Sequence, residues 1–209
     1  MLLRLEVPDR VEHMAGQHYV VRLSAPDGYT AQRSYSLASA PSDPLCELFV
    51  ERLDDGEVSA YLADEVMAGD VLQVRGPIGG WFVWDGSRPA VGIAGGSGVV
   101  PLVAMLRHAE HLGRGDLLHL VVSARTPGDL PYAMELAAAG ASIALSRAPG
   151  PGGRPPGRLT TAELAAALVA DATYFVCGSA AFAEAMSSSL VDLGVTADMI
   201  RVERFGPSG

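Results

Sequence analysis

A glycine cluster between an apolar run and a helical pattern is the first candidate for chemistry. Residues 91–101 read Val-Gly-Ile-Ala-Gly-Gly-Ser-Gly-Val-Val-Pro, which predicts a strand, a tight loop and a helix opening at Val99. The first N–H groups of such a helix lack partners and its dipole is positive there, so the loop suits a phosphate. The spacing departs from the G-x-G-x-x-G dinucleotide fingerprint, and an ordinary strand-to-helix turn is an equal alternative. Pro101 stands early in the helix, where its missing N–H costs little.

The run Arg33-Ser34-Tyr35-Ser36 is a second candidate. Alternation along a strand places Arg33 and Tyr35 on one face, and Ser34 and Ser36 on the other. An arginine can bind a diphosphate, and a neighbouring tyrosine offers a ring for stacking. Taken alone, the four residues favour an exposed arginine beside a half-buried tyrosine over a binding site.

Charge and cysteine usage restrict the function classes. The 209 residues carry a formal net charge of -9, which argues against a nucleic-acid backbone as the main partner and allows a basic protein partner. The two cysteines, Cys46 and Cys177, are too few for a four-cysteine iron–sulfur site or a disulfide framework. His108 and His111 lie three residues apart, but no carboxylate or cysteine pattern completes a metal site around them. No metal is predicted.

The sequence predicts no signal peptide and no membrane-spanning segment. The opening Met1-Leu2-Leu3-Arg4 lacks the apolar core and cleavage site of a signal peptide, and no apolar run approaches about 18 residues. We therefore expect a cytoplasmic protein without membrane contact.

Short β-like runs separated by turn residues make up the first part of the chain. This spacing predicts a small antiparallel barrel or sandwich. The predicted strands are Leu2–Val7, His18–Leu23, Arg33–Ala38, Leu45–Leu53 and Val71–Arg75, and one helix runs from about Ser59, its candidate cap, to Met67.

The pattern changes near Asp85–Arg88 to an alternation of apolar strands and helices, which predicts a parallel sheet covered on both faces. We therefore divide the chain into residues 1–86 and 87–209. The first predicted strand of this part ends at Ala94, and the other four are Leu117–Ala124, Ala141–Ser146, Thr173–Cys177 and Met199–Phe205. The predicted helices are Val99–Leu112, Leu130–Ala139, Thr160–Val169 and Ala180–Leu193. Pro149–Gly157 is predicted to be an irregular surface loop.

In chain order, these segments resemble the ferredoxin-NADP reductase superfamily, in which a flavin-binding barrel precedes a nicotinamide-binding α/β domain. Six motifs carry the resemblance: Arg33-Ser34-Tyr35-Ser36 (R-x-Y-S), Gly56-Glu57-Val58-Ser59 (the diphosphate turn), Gly76-Pro77-Ile78-Gly79 (G-P-x-G), Gly95-Gly96-Ser97-Gly98-Val99-Val100-Pro101 (G-G-[ST]-G-x-x-P), Cys177-Gly178, and Glu203-Arg204-Phe205 near the C-terminus. The family has a further barrel strand before the segment that resembles Leu2–Val7.

The resemblance implies roles for individual residues. It assigns Ser36, Cys177 and Glu203 to catalysis, with Ser36 at the reactive flavin edge and Glu203 relaying a proton. The implied flavin contacts are Arg33, Ser34, Tyr35, Ser36, Gly56, Val58, Ser59 and Phe205, and the implied nucleotide contacts are Gly95, Gly96, Ser97, Gly98, Pro101, Ser123, Arg125, Thr126, Tyr132, Arg147, Cys177 and Gly178. Without the resemblance, the position of Cys177 indicates an inert buried thiol, and that of Phe205 indicates an ordinary core residue.

The implied reaction is hydride transfer from NAD(P)H to FAD, with FMN as the alternative flavin, followed by electron delivery to a separate ferredoxin or oxygenase component. Arg125, at the end of a strand where the adenosine ribose should lie, favours NADPH, and Arg147 adds a second positive charge. Tyr132 is placed to stack on adenine, whereas Asp129 would repel a 2′-phosphate. The alternatives are a reductase of free flavin or small molecules, and a binding module that retains the fold without flavin.

Overall fold

The computed structural model describes residues 1–206, and the predicted tail from Pro207 to Gly209 lies outside the described residues. Its strands are β1 (Leu2–Leu5), β2 (His18–Ser24), β3 (Thr30–Ser36), β4 (Cys46–Phe49), β5 (Gln73–Ile78), β6 (Ala90–Gly95), β7 (Leu118–Ala124), β8 (Ser142–Leu145), β9 (Thr173–Ser179) and β10 (Ile200–Phe205). Its α-helices are α1 (Glu57–Asp64), α2 (Val100–Leu112), α3 (Ala133–Ala138), α4 (Thr161–Ala166) and α5 (Ala180–Asp192).

Two antiparallel sheets form the first part of the chain. One pairs β1 with β4, and the other has the order β3-β2-β5. An isolated bridge between Leu37 and Leu48 joins the end of β3 to β4. The β2–β3 register sets His18 opposite Ser36 and Tyr19 opposite Tyr35.

The second part is a five-stranded parallel sheet of order β10-β9-β6-β7-β8. Alternate residues of β6 face opposite sides: Ala94 packs in a core cluster with α2, whereas Ile93 packs in a second cluster with residues of α4 and α5. The cluster under α2 also contains Ala15, Ala38, Phe82 and Trp84 from the first part of the chain. One apolar core therefore extends across both parts, and the predicted antiparallel-then-parallel architecture is confirmed.

Helix α1 begins earlier than the sequence predicts. Gly56 occupies the N-cap position, so Ser59 lies inside the helix and its prediction as the cap is wrong. The Ser59 hydroxyl instead donates to the Gly56 carbonyl and accepts from the Leu53 N–H. A Cβ built on Gly56 would lie 2.2 Å from the Ser59 hydroxyl oxygen, so glycine is required for this close approach.

Helix α3 starts later than predicted. A short 3₁₀ turn at Pro127–Asp129 comes first, and Tyr132 adopts a left-handed conformation with φ +57° immediately before the helix. The proline-rich loop from Pro149 to Gly157 contains only one short 3₁₀ turn, at Pro151–Gly153. Among residues 1–206, no helix is both long and apolar enough to span a bilayer.

Candidate active site at the junction of the two sheets

The glycine loop lies at the carboxyl edge of the parallel sheet, between β6 and α2. Gly96 to Val99 form a 3₁₀ turn, and Pro101 lies in the first turn of α2, as predicted. A Cβ built on Gly98 would lie 2.5 Å from the Cys177 carbonyl oxygen and 2.7 Å from the Gly178 nitrogen. Only glycine allows the loop to approach the end of β9 this closely.

The end of β9 forms the opposite wall of this cradle. Gly178 has φ +153°, and a Cβ built on Gly178 or Gly95 would lie 2.9 Å from the Phe182 ring. The Cys177 side chain is fully buried in the core cluster under α2. Burial, followed by the nearby charge of Glu203, raises the pKa of the Cys177 thiol far above its usual value, so this thiol is neutral at physiological pH. Its assignment to catalysis stays a prediction.

Strand β3 presents the predicted flavin motif. Arg33 and Ser34 are exposed, Tyr35 is half-buried and Ser36 is buried. The Arg33 guanidinium donates to the neighbouring Gln32 carbonyl at 2.8 Å, which keeps it beside its own strand and open to solvent. Burial raises the pKa of Tyr35 to about 12, so its ring stays neutral and available for stacking.

Glu203 and His18 connect the two sheets at the site. Glu203 on β10 is in register with Cys177 on β9, and its Oε1 atom lies 3.9 Å from Nδ1 of His18. Its Oε2 atom is buried without a hydrogen-bond partner among the described residues. Burial raises the pKa of Glu203 to about 7 and lowers the pKa of His18. Near neutral pH, Glu203 is therefore poised to gain or lose a proton beside an uncharged imidazole.

Phe205 follows two residues after Glu203. Its half-buried ring packs against the core cluster under α2, and it is in register with Ser179 at the end of β9. This placement is at the same junction as Glu203, and flavin stacking by Phe205 stays a prediction.

The predicted diphosphate turn lies at the start of α1. Val58 and Ser59 are buried, and the Ser59 hydroxyl already serves the chain itself. Glu57 is exposed and accepts a hydrogen bond from the Tyr29 hydroxyl at 2.9 Å. The Ser59 hydroxyl is already hydrogen-bonded within the chain, and the negative charge of Glu57 would repel a diphosphate. A diphosphate bound here must therefore be held by backbone N–H groups and by Arg33.

The predicted adenosine side lies where β7 and β8 end. Arg125 and Arg147 are both exposed, and the Arg147 N–H donates to the Arg125 carbonyl at 2.8 Å. Asp129 accepts from the Thr126 N–H and hydroxyl at 2.9 and 2.7 Å. Hydrogen bonds from Thr126 lower the pKa of Asp129, and the charges of Arg125 and Arg147 contribute. An ionised Asp129 thus stands close to the two arginines, and Ser123 lies half-buried at the end of β7.

Tyr132 is held by contacts that the sequence did not predict. Its hydroxyl donates to Glu47 Oε1 at 3.1 Å, the Arg107 guanidinium lies 5.2 Å from its ring centroid, and the Phe49 ring lies 6.2 Å away. These contacts compete with stacking on adenine. Stacking on adenine therefore stays a prediction. It requires one face of the Tyr132 ring to remain accessible while these contacts are kept.

Comparison with known proteins identifies the first part of the chain. Residues 1–83 match the family described as the oxidoreductase FAD-binding domain, and the parallel five-stranded sheet follows it. This match identifies a FAD-binding oxidoreductase domain in the first part of the chain. The flavin-binding domain that the six motifs predict is therefore confirmed.

Several known proteins align with almost the whole chain. The chain is 28% identical to the ferredoxin–NAD(P)(+) reductase component of the naphthalene 1,2-dioxygenase/salicylate 5-hydroxylase systems of a Ralstonia species, over 99% of this chain and 65% of that protein. It is 30% identical to a flavohemoprotein of Rhodopirellula baltica, over 92% of this chain and 52% of that protein. The chain thus spans about half to two thirds of the length of these two relatives.

A solved structure supports the same architecture. An Amycolatopsis cytochrome P450 reductase superposes with a TM-score of 0.81 at 26% identity, covering 99% of this chain and 65% of that one. A ferredoxin NADP+ reductase from Neisseria gonorrhoeae with bound FAD and NADP superposes with a TM-score of 0.78 at 22% identity, covering 97% and 91%. The second likeness shows the shared fold.

Sequence reasoning assigned no role to His18. No local motif marks it, because its place beside Ser36 and Glu203 depends on the pairing of β2 with β3 and on the approach of β10. Phe182 was also missed, since a phenylalanine at the start of an amphipathic helix reads as core.

Proposed function

We propose that this chain is an NAD(P)H-dependent flavoprotein reductase. It takes a hydride from NADPH onto FAD and passes the electrons to a separate acceptor protein. Residues 1–86 bind the flavin, and residues 87–209 bind the nicotinamide nucleotide. The observation that carries the proposal is the junction at which Glu203 lies beside both Cys177 of the parallel sheet and His18 of the flavin sheet.

The residues present fit a flavin and a nucleotide. Among residues 1–206, the buried Oε2 atom of Glu203 has no hydrogen-bond partner, which suits a polar group of a bound ligand. Gly98 packs directly against the backbone of Cys177 and Gly178, so the glycine loop and the end of β9 lie together as two walls of one nucleotide site. FAD, when bound, accepts a hydride as an electron pair and can return the electrons singly.

The chain's own groups orient the reactants and hold a proton. Ser36 supplies a buried hydroxyl for a hydrogen bond to the reactive flavin edge, and Gly98 with Gly178 lets the nicotinamide reach that edge. Glu203, with a pKa of about 7, holds an exchangeable proton near neutral pH. His18 lies within 3.9 Å of it and passes the proton toward solvent.

A groove beside α1 favours FAD over FMN. Its volume is about 590 Å³, and its lining includes Tyr29, Glu57 and Tyr61. Tyr29 and Tyr61 are 57% and 46% exposed, so an adenine ring would find two aromatic surfaces there. An FMN would leave this groove unused.

The acceptor is a protein, by analogy with the named roles of relatives. The Ralstonia relative is a reductase component of dioxygenase and hydroxylase systems, and others are reductase components of propane 2-monooxygenase. We assign this chain the same kind of partner, a ferredoxin or an oxygenase component.

Flavin content and anaerobic reduction test the proposal. We expect the purified chain to be yellow, and NADPH to bleach its flavin absorption band without oxygen. A colourless folded protein that takes up no flavin would identify a binding module instead. Rapid turnover of added free flavin with no acceptor protein would identify a free-flavin reductase.

Replacing Arg33 by alanine tests whether this residue contributes to flavin binding. Because the arginine is exposed, its contact with the flavin should be worth about 1.5 kcal/mol, the lower limit for a charge-assisted hydrogen bond. Its loss should therefore weaken flavin affinity about tenfold. Arg114, an exposed arginine beyond the far end of α2, provides the control as Arg114→Ala. Equal flavin retention in the two variants would remove Arg33 from the flavin site.

We infer a preference for NADPH from the arginines at the ends of β7 and β8. Arg125→Ala should lower kcat/KM for NADPH by about tenfold and leave kcat/KM for NADH within about twofold, because a 2′-phosphate contact of about 1.5 kcal/mol is lost. The measurement compares both nucleotides in the parent, in Arg125→Ala and in Arg114→Ala. Equal losses for both nucleotides, or a parent that uses NADH as well as NADPH, would contradict this assignment, and the nearby Asp129 carboxylate would then be the dominant charge.

A further inference from the structure

Arg107 on α2 connects the nucleotide-binding part of the chain to the flavin-binding part. Its Nη1 atom donates to the Ala38 carbonyl at 3.0 Å and to Glu47 Oε1 at 2.9 Å, both in the first part of the chain. Its Nε and Nη2 atoms bind both oxygens of Glu135 on α3, at 2.7 and 2.9 Å. All three guanidinium nitrogens are thus engaged, and they join three elements.

The surroundings of Arg107 are largely closed to solvent. Its side chain is 22% exposed and that of Glu47 is 7% exposed. Burial opposes ionisation of Glu47, but hydrogen bonds from Arg107 and Arg4 outweigh it and lower the pKa of Glu47. Removing one member of such a desolvated pair leaves the other charge buried without a partner. We call Arg107, Glu47, Glu135, Tyr132 and the Ala38 carbonyl the domain bridge.

The domain bridge is connected through short chain segments to both halves of the candidate site. Ala38 lies two positions after Ser36, and its N–H donates to the Glu47 carbonyl at 2.8 Å. Arg107 lies on the helix that begins at the glycine loop, and Tyr132 precedes α3 just after the turn at Thr126–Asp129. A rotation of one part of the chain against the other must therefore break contacts of Arg107.

We propose that Arg107 is a positioning residue for hydride transfer. This inference rests on the proposed function: Arg107 fixes the angle between the two parts, so that the flavin ring at Ser36 meets the nicotinamide of a nucleotide whose phosphate lies on the glycine loop. Hydride transfer requires reacting atoms about 3 to 3.5 Å apart, and a misplacement of about 1 Å costs about 100-fold in rate. The apolar core that spans both parts keeps them associated when Arg107 is replaced, so the angle changes rather than the fold.

The chain offers a matched control in Arg154. Arg154 binds both oxygens of Glu163 through Nε and Nη2, as Arg107 binds Glu135, but it joins the loop before α4 to that helix and reaches no element of residues 1–86. Arg154→Met and Glu163→Gln therefore break an arginine–glutamate pair without touching the domain bridge.

The test measures anaerobic stopped-flow reduction of the bound flavin by saturating NADPH. For Arg107→Met, Arg107→Lys and Glu47→Gln we expect flavin content and the Kd for NADP+ within about twofold of the parent, and a reduction rate lower by about 10- to 100-fold. The Arg107→Met/Glu47→Gln double variant should be no slower than the slower single variant, because both changes act through one contact. Arg154→Met should reduce at the parent rate.

Amide hydrogen exchange supplies a readout that does not depend on activity. Exchange in residues 36–49 should rise in the Arg107 variants and stay unchanged in Arg154→Met. A parent rate in folded Arg107→Lys and Glu47→Gln, or an effect on KM alone, would overturn the proposal. If neither nucleotide reduces the flavin of the parent, the proposed function fails. Separately, unchanged hydrogen exchange in residues 36–49 of the Arg107 variants would overturn the positioning role of the domain bridge. If Arg107→Met does not fold, the two conservative variants decide.

Discussion

Replacing Gly98 by alanine should lower the rate of flavin reduction by NADPH by about 100-fold or more. The new Cβ would lie 2.5 and 2.6 Å from the carbonyl oxygen and carbon of Cys177, and 2.7 Å from the Gly178 nitrogen. These are backbone atoms of a central strand, which cannot rotate away as a side chain can. The glycine loop must shift by about an ångström instead, and a shift of that size costs about 100-fold in a transfer between positioned reactants.

The expected effect at Gly98 is steric, because its backbone conformation is one that alanine also adopts. Gly115 provides the control, since it also lacks a positive φ and a Cβ there meets no atom within 4 Å. Gly98→Ala should keep its flavin, because the change lies outside residues 1–86, while Gly115→Ala should match the parent in flavin content and rate. A Gly98→Ala rate within about threefold of the parent would show that the nucleotide does not need this close approach.

The parallel half of the fold was predictable because its central strands, β6 and β9, are mainly apolar runs. Both faces of that sheet are covered, so β6, β7 and β9 carry apolar residues at successive positions. Helix starts were less predictable, because local side-chain bonds decide them. Ser59 has the right type for a cap, yet its hydroxyl bonds Leu53 and Gly56 from inside the first turn of α1.

The candidate site divides in the same way. Ser36, Gly98 and Glu203 were predicted as site residues because each belongs to a short sequence motif. His18 and Arg107 were not predicted, because their partners are distant in sequence. Arg107 contacts Glu47 across 60 residues, and Tyr132 contacts the same carboxylate across 85. Tertiary packing alone creates those pairs.

Replacing Glu203 by glutamine should stabilise the protein at alkaline pH. The pKa of Glu203 is raised by burial from 4.5 to about 7, so the folded chain keeps a proton that the unfolded chain releases between these values. The stability contributed by this group therefore falls as pH rises through that window and stays low above pH of about 7. At about 1.36 kcal/mol per pKa unit, the full loss is about 3 kcal/mol.

Among the described residues, the ion-pair partner within reach of Glu203 is His18, at 3.9 Å. Burial lowers the pKa of His18, so His18 is neutral where Glu203 ionises. Cys177, on the neighbouring strand, is a neutral thiol. A glutamine keeps the size of the side chain and removes the buried charge, although one amide hydrogen-bonding group then lacks a partner at a cost of about 1 kcal/mol. The expected net gain above pH of about 8 is therefore about 2 kcal/mol.

Urea unfolding at pH values of about 5 and 8.5 measures this difference, with parent and variant compared at matched flavin content. Glu203→Gln should gain stability relative to the parent only at the higher pH. Glu163→Gln is the control of opposite sign, because the hydrogen bond from Arg154 lowers the pKa of Glu163 to about 2, so its charge stabilises the fold above pH of about 4.5 and its removal should destabilise there. If Glu203→Gln instead loses stability at pH 8.5 as Glu163→Gln does, the Glu203 carboxylate is paired in the folded protein, and it cannot be the group that holds an exchangeable proton near neutral pH.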